Sequence, residues 1–295
     1  MSSITEGFRI GHWTDEAALT GCTVILPPPG NVASCDIRGS SPSSRELALL
    51  DLDRRLTEIH AVLLTGGSAF GLAAAQGVVE WLAERGVGYQ TAVTPVPIVP
   101  AAVIFDLGSG RSDVRPGPEE GRAACDAAVA SGFGTGLIGV GAGSTVGKWS
   151  GFEHKSPGGF GVGSAADQGM EVTAVAVVNS VGDVIARDGT VIAGTRSPDP
   201  TYQSPPARQA SVPTNTVLAC VMTKATLDKR DVRWLAARGS DGIAMSVRPA
   251  HTRYDGDVVF GVAAPSGPDA PVANLDILGM LATEAVAAAV RSAVS

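Results

Sequence analysis

Residues 216–222, Thr-Val-Leu-Ala-Cys-Val-Met, make a run too apolar for a half-exposed strand and right for one buried on both faces. Such a strand needs packed layers above and below it. The run starts abruptly. A polar stretch punctuated by Pro213 ends at Asn215, and the first residue of the apolar strand is the hydroxyl-bearing Thr216. One reading is plain: Thr is enriched in strands, and taken alone the stretch favours that reading. The other is chemical. If the chain is cut between Asn215 and Thr216, Thr216 gains a free α-amine beside its hydroxyl, and that amine can activate it as a nucleophile.

With 44% hydrophobic and 17% charged residues over 295 positions, the chain can bury a core sized for one large α/β domain or two small ones. A net charge of −7 without any basic stripe argues against nucleic acid or an anionic membrane as partner. Cys22, Cys35, Cys125 and Cys220 lie far apart, with no metal-site spacing to a histidine, so neither a zinc site nor a disulfide framework is expected. Cys125 and Cys220, among small apolar neighbours, read as buried thiols. The start Met1 to Glu6 lacks the basic and apolar regions of a signal peptide, and no apolar run reaches the ~18 residues of a membrane span. The expectation is a soluble, cytoplasmic protein.

Taken in order, strands are expected near Phe8–Ile10, Cys22–Leu26 and Asn31–Ile37. Ser43 with Glu46 three residues on has the form of a capping box, predicting a helix through Leu47, Leu50, Leu52 and Leu56 to about His60. Residues 61–65 are a buried strand, and Gly66-Gly67-Ser68-Ala69-Phe70-Gly71 turns into a helix from Leu72 to Arg85. That layout approaches a nucleophile elbow but has Phe70 where the second glycine belongs, so Ser68 reads as a cap, or its turn as a source of N–H groups for an anion. An extended segment over 94–107, a helix over 116–130 and a glycine loop over 158–164 follow. Residues 171–178 form a strand that continues into a hairpin with Asn179 at its mouth. A mobile surface loop covers 193–213, helices cover 227–238 and 242–247, a strand covers 258–263, and a last helix starts at Asn274 or Asp276.

Four polar positions stand out. Gly134, Gly136 and Gly139 satisfy a dinucleotide pattern formally but no helix follows, and Gly147-Lys148 lacks the other residues of a P-loop. Lys148 is therefore either a solvated loop lysine or one set into a pocket wall that glycines allow the backbone to approach. Asn179 is either a turn residue or an amide donor to an oxyanion. Asp255 and Asp257, if the following strand begins by Asp255, present two carboxylates on one side, where like charges push one pKa up. A Ca²⁺ site there lacks the further oxygen ligands expected.

Together these pieces resemble the self-processing L-aminopeptidase/D-esterase family, which includes β-aminopeptidases and nylon-oligomer hydrolases. The resemblance covers nearly the whole chain. It is carried by Ile10 to Asp15, Leu19 to Val24, Leu64 to Leu72, Val103 to Asp106, Gly147-Lys148, Asn179, Asn215-Thr216 and Asp255 to Phe260. It implies an α/β αββα sandwich like that of N-terminal nucleophile hydrolases, and a single domain over 1–295 that cuts itself into 1–215 and 216–295. It further implies Thr216 as nucleophile, Asn179 as oxyanion donor, Lys148 beside it, and Asp255 with Asp257 as an acidic pair orienting the nucleophile. No metal or organic cofactor is implied. The substrate would be a short peptide or amide, and the assembly a homo-oligomer, a tetramer of processed protomers. Two positions depart from the pattern: Val217 stands where many members have a second Thr, and Phe105 where some have Tyr. Two competing readings remain, an acyltransferase of the ornithine-acetyltransferase type and a non-cleaving binding protein on the same fold.

Overall fold

The computed structural model describes residues 4–202, 215–267 and 272–295. Ten strands build its two main sheets: β1 (Arg9–Asp15), β2 (Thr20–Leu26), β3 (Val32–Ile37), β4 (Ser44–Arg45), β5 (Val62–Thr65), β6 (Ala101–Val103), β7 (Gly159–Asp167), β8 (Met170–Asn179), β9 (Thr216–Lys224) and β10 (Val258–Ala264). Four α-helices cover them: α1 (Ala74–Ala83), α2 (Pro118–Asp126), α3 (Lys229–Ala244) and α4 (Leu275–Ser292). The first sheet has the order β1-β2-β5-β6-β4 and the second β3-β10-β9-β8-β7. In the second sheet β9 pairs parallel with β10 and antiparallel with β8.

Side-chain alternation explains the layering. On β9, Leu218, Cys220 and Met222 face the first sheet, and Val217, Ala219 and Val221 face α3 and α4. On β5, Val62 and Leu64 enter the space between the sheets, while Leu63 meets α1 and α2. The result is four layers, α/β/β/α, as the resemblance implied. The apolar run 216–222 lies on β9, the middle strand of the second sheet.

The glycines of 158–164 do not form a loop; all but Gly158 lie on β7. Gly159, Gly161 and Gly163 fall on one face of the strand, and a Cβ at each would stand 2.0, 2.1 and 2.3 Å from the carbonyl oxygens of Ala293, the C-cap of α4, and of Ala289 and Ala285 within that helix. The missing side chains let an alanine-rich helix lie directly on the strand. Gly161→Ala should therefore destabilise the protein by about 1–3 kcal/mol, the cost of overpacking a close contact. Urea unfolding reads this, and an unchanged midpoint would contradict the packing account.

The helix expected from Ser43 to His60 does not form. Glu46 adopts φ +59°, and its carboxylate accepts from Val99 N at 3.1 Å instead of boxing the chain start. Only a short 3-10 turn, Leu47–Leu50, follows, with both terminal leucines in the inter-sheet core. The backbone of this irregular stretch is served from outside. Lys229 Nζ, in the first turn of α3, donates to the carbonyls of Leu49, Arg54 and Leu56. A capping pattern cannot anticipate a lysine 180 residues away.

Three smaller expectations also change. Asp183–Ile185 does not pair with β8; it joins Val191–Ala193 and Val247–Arg248 in a separate small sheet. The two helices expected over 227–247 are one, α3, capped by the Asp228 carboxylate on Asp231 N. Of the segment expected to be mobile, 203–213 lies outside the described residues, and what precedes it is tied down, with Thr195 N on Asp183 and Arg196 N on His154 O.

Candidate active site

Three strand ends converge at one edge of the second sheet. Thr216, first residue of β9, is the ladder partner of Asn179, last residue of β8. On the other side a single parallel bridge pairs Asn215 with Asp255, just ahead of β10. The strand itself begins at Val258, not at Asp255. The two aspartates nevertheless lie close enough for the charge of Asp257 to act on Asp255, because the backbone from 255 to 257 runs beside Asn215 and Thr216. Lys148 arrives from the short strand Thr145–Val146 through Gly147, whose φ is +73° and where a Cβ would meet Gly194 at 2.2 Å. That turn needs glycine, and it points Lys148 inward. Asn179, Thr216, Lys148, Asn215, Asp255 and Asp257 are all buried.

Each group has defined partners. Asn179 Oδ1 accepts from Thr145 N at 3.0 Å and Lys148 Nζ at 2.9 Å, which fixes the amide so that Nδ2 is the donor, and Nδ2 donates to Phe105 O at 3.1 Å. Phe105 thus enters the site through its carbonyl. Lys148 Nζ also donates to Asn179 O at 3.2 Å. Asp257 Oδ1 accepts from Val217 N at 2.6 Å, the amide immediately after Thr216. Asp255 accepts from Thr252 N at 2.8 Å and Thr252 Oγ1 at 2.6 Å.

At the junction, Thr216 Oγ1 donates to the carbonyl oxygen of Asn215 at 2.5 Å, and Gly256 N donates to the same oxygen at 2.9 Å. The side-chain Oδ1 of Asn215 is buried and has no hydrogen-bond partner among the described residues.

Burial sets the electrostatics. It pulls the Lys148 ammonium down to about 7, against the attraction of Asp255. It pushes Asp255 up to about 6, and the charge of Asp257 adds to the rise. A lysine and a carboxyl with nearly matched proton affinities can both change protonation near neutral pH.

Ser68 has no part in this. Its turn is left-handed at φ +53°, its N–H is committed to Ile104 O and that of Gly67 to Asp106, and its side chain caps neither following helix. The cap expected of Ser68 is therefore not made. Among the described residues no cluster of three or more His, Cys, Asp or Glu side chains is placed to hold a metal. All four cysteines are buried and free. The sequence reading missed His251, whose Nδ1 lies 2.7 Å from Asp257 Oδ2. It also missed Asp106, which anchors the turn that carries Phe105 by accepting from Gly67 N and Thr20 Oγ1, both at 2.7 Å. Loop spacing carries no periodicity that would have exposed either.

A family model, described as peptidase family S58, matches residues 3–295. A relative in Mycobacterium leprae, described as an uncharacterised aminopeptidase, is 40% identical over 324 residues, covering 98% of this chain and 87% of its own. The 6-aminohexanoate-oligomer endohydrolase of an Agromyces species is 30% identical over 310 residues, with 97% and 84% covered. Among solved structures, the L-aminopeptidase D-Ala-esterase/amidase of Ochrobactrum anthropi, described as a variant of the Ntn-hydrolase fold, superposes with a TM-score of 0.71 at 19% identity. It covers 99% of this chain and 85% of that one.

Proposed function

The chain belongs to peptidase family S58, and from that premise we propose that it is a self-processing amidohydrolase whose nucleophile is Thr216. The observation that carries the reading is the junction itself: the Thr216 hydroxyl and the Gly256 amide both lie on the carbonyl oxygen of the peptide to be cut.

In the first step Lys148, as the neutral amine, takes the Thr216 hydroxyl proton. Oγ1 then bonds to the Asn215 carbonyl carbon while Gly256 N–H holds the developing oxyanion. The C–N bond breaks, the new amine of Thr216 takes a proton, and the resulting ester is hydrolysed by water to the Asn215 carboxylate and free Thr216. The buried Asn215 carboxamide oxygen costs about 1–3 kcal/mol while the junction is intact, and release of the new end at Asn215 removes that cost.

In turnover the Thr216 α-amine takes over as base and Oγ1 attacks a substrate carbonyl. The amine product leaves with the proton, and water hydrolyses the acyl-enzyme. Asn179 Nδ2 serves the substrate oxyanion, and Asp257 holds the backbone at Val217. The relatives are named for aminopeptidase and oligoamide-hydrolase activity, so short linear amides with a free amino end are the substrate class. The processed chains would assemble as an oligomer, which light scattering reads.

Intact-mass analysis of purified protein is the test. Two fragments meeting at Asn215/Thr216, with hydrolysis of short amides, are expected. A single full-length chain without amidase activity after prolonged incubation overturns the reading. Asp257→Asn keeps an acceptor for Val217 N but loses the charge, so it should slow self-cleavage roughly 10- to 100-fold, the worth of a charge-assisted hydrogen bond. Wild-type rates would remove Asp257 from the chemistry.

A further inference from the structure

His251 lies in the loop between Val247–Arg248 and β10, and its backbone is left-handed at φ +52°. Histidine enters that region more readily than most non-glycine residues, and here the contacts of its ring fix it there. Both ring nitrogens are engaged: Nδ1 with Asp257 Oδ2 at 2.7 Å, and Nε2 with Ser240 O on α3 at 3.0 Å. A backbone carbonyl only accepts, so Nε2 carries a proton. On the other side Nδ1 faces a carboxylate whose second oxygen already accepts from Val217 N. With that carboxylate ionised, Nδ1 donates too, and the ring is an imidazolium.

We propose that cationic His251 is a positioning residue which holds the Asp257 carboxylate aimed at the Val217 amide, while Asp255, the other member of the acidic pair, is held apart by Thr252. The proposal rests on the reading of Thr216 as nucleophile, since it assigns work within that site. A chain of four groups results: Ser240 carbonyl, imidazolium, carboxylate, and then the peptide N–H immediately following the nucleophile.

The charged groups around the ring bear this out. Asp257 attracts its proton from the β10 side and the Ser240 carbonyl from α3, and together they outweigh burial, so His251 lies above the ordinary imidazole value. The guanidinium of Arg38 opposes them, but it is itself tied to Asp36 at 2.8 Å and to Asp241 at 3.2 Å. Asp255 turns its carboxylate the other way, onto Thr252 and Val181 N. The two members of the pair are thus held by different partners, one cationic and one neutral.

Two measurements decide it. First, ¹⁵N-histidine spectra of the Thr216→Ala precursor, with His251 assigned by its loss in His251→Asn, should show both ring nitrogens protonated at about pH 6.5, the ordinary midpoint. A neutral tautomer there overturns the proposal. Second, His251→Asn keeps a side chain that tolerates the left-handed backbone but removes the cation. The acidic pair then keeps its proton to higher pH, and the acid limb of the self-cleavage profile moves up by about 1 unit. An unmoved limb with merely scaled rates marks a structural role and also overturns it. Cleavage persisting in Thr216→Ala would sink the functional reading instead, without touching the ring's protonation state.

Discussion

Thr216→Ala is expected to yield one uncut 295-residue chain and no measurable amidase activity, a loss of at least about 10⁴-fold. The hydroxyl removed is the only nucleophile in the reading, and its exchange for a methyl group deletes one hydrogen bond to a neighbouring carbonyl. Folding should survive: β9 keeps its ladders to β8 and β10, and none of the three core clusters contains Thr216. A melting temperature within a few degrees of wild type would separate loss of chemistry from loss of structure. Thr216→Ser retains the oxygen but not the β-branch that restricts its rotamers, so it should still process, more slowly. Intact-mass time courses on the three proteins read all of this. Fragments from the alanine variant that still meet at 215/216 would mean that another group attacks, and Thr216 would revert to a strand residue.

The parts of this molecule that could be read from its sequence are those governed by short-range periodicity. The run 216–222 announces a strand buried on both faces, and it is one, because each side of β9 meets a separate apolar layer. Asn274 at the start of an alanine-rich pattern announces a cap, and its Oδ1 accepts from Asp276 N and Ile277 N. Failures occur where a distant partner decides. Leu47, Leu50 and Leu56 have helical spacing, but the inter-sheet core claims the first two and Lys229 satisfies the backbone of the stretch. Gly159, Gly161 and Gly163 look like a loop until α4 is laid against them.

The site divides along the same line. Lys148, Asn179, Thr216, Asp255 and Asp257 were chosen by residue type and by resemblance, and the fold brings all five to one buried edge. What each would do depends on contacts that no spacing encodes. Asn179 is oriented by Thr145 and Lys148, and the acidic pair sits beside Thr216 because β10 runs parallel to β9 rather than because its own strand begins early. His251, six residues before Asp257, is invisible to any strand or helix template.

Lys148→Met should slow self-cleavage by about 10²–10⁴-fold, the usual contribution of a general base, while slowing turnover of already processed enzyme far less. The difference follows from what Thr216 possesses at each stage. Before the cut its nitrogen is a peptide amide and cannot take a proton, so the base must come from elsewhere. Lys148 Nζ contacts both oxygens of Asn179, the ladder partner of Thr216, and burial holds it at about 7. A base acts in its deprotonated form, so wild-type self-cleavage should rise as pH increases through about 7 and level off above it. In Lys148→Met that rise should vanish, leaving only the lower limb near pH 6 where Asp255 ionises. Methionine keeps the apolar stem, and Thr145 N still holds the Asn179 amide, so the loss reports the nitrogen rather than collapse of the site. Lys148→Arg decides between the two roles a buried lysine can play. Its guanidinium stays protonated, so a base predicts an arginine variant as slow as the methionine one, whereas a purely electrostatic lysine predicts near-wild-type cleavage. After cleavage the α-amine of Thr216 is present as base, so processed enzyme that accumulates slowly in Lys148→Met should hydrolyse short amides within about tenfold of wild type, the residual reflecting one donor lost to Asn179. Equal losses in both steps would show that Lys148 acts on the oxyanion donor and not on the Thr216 proton.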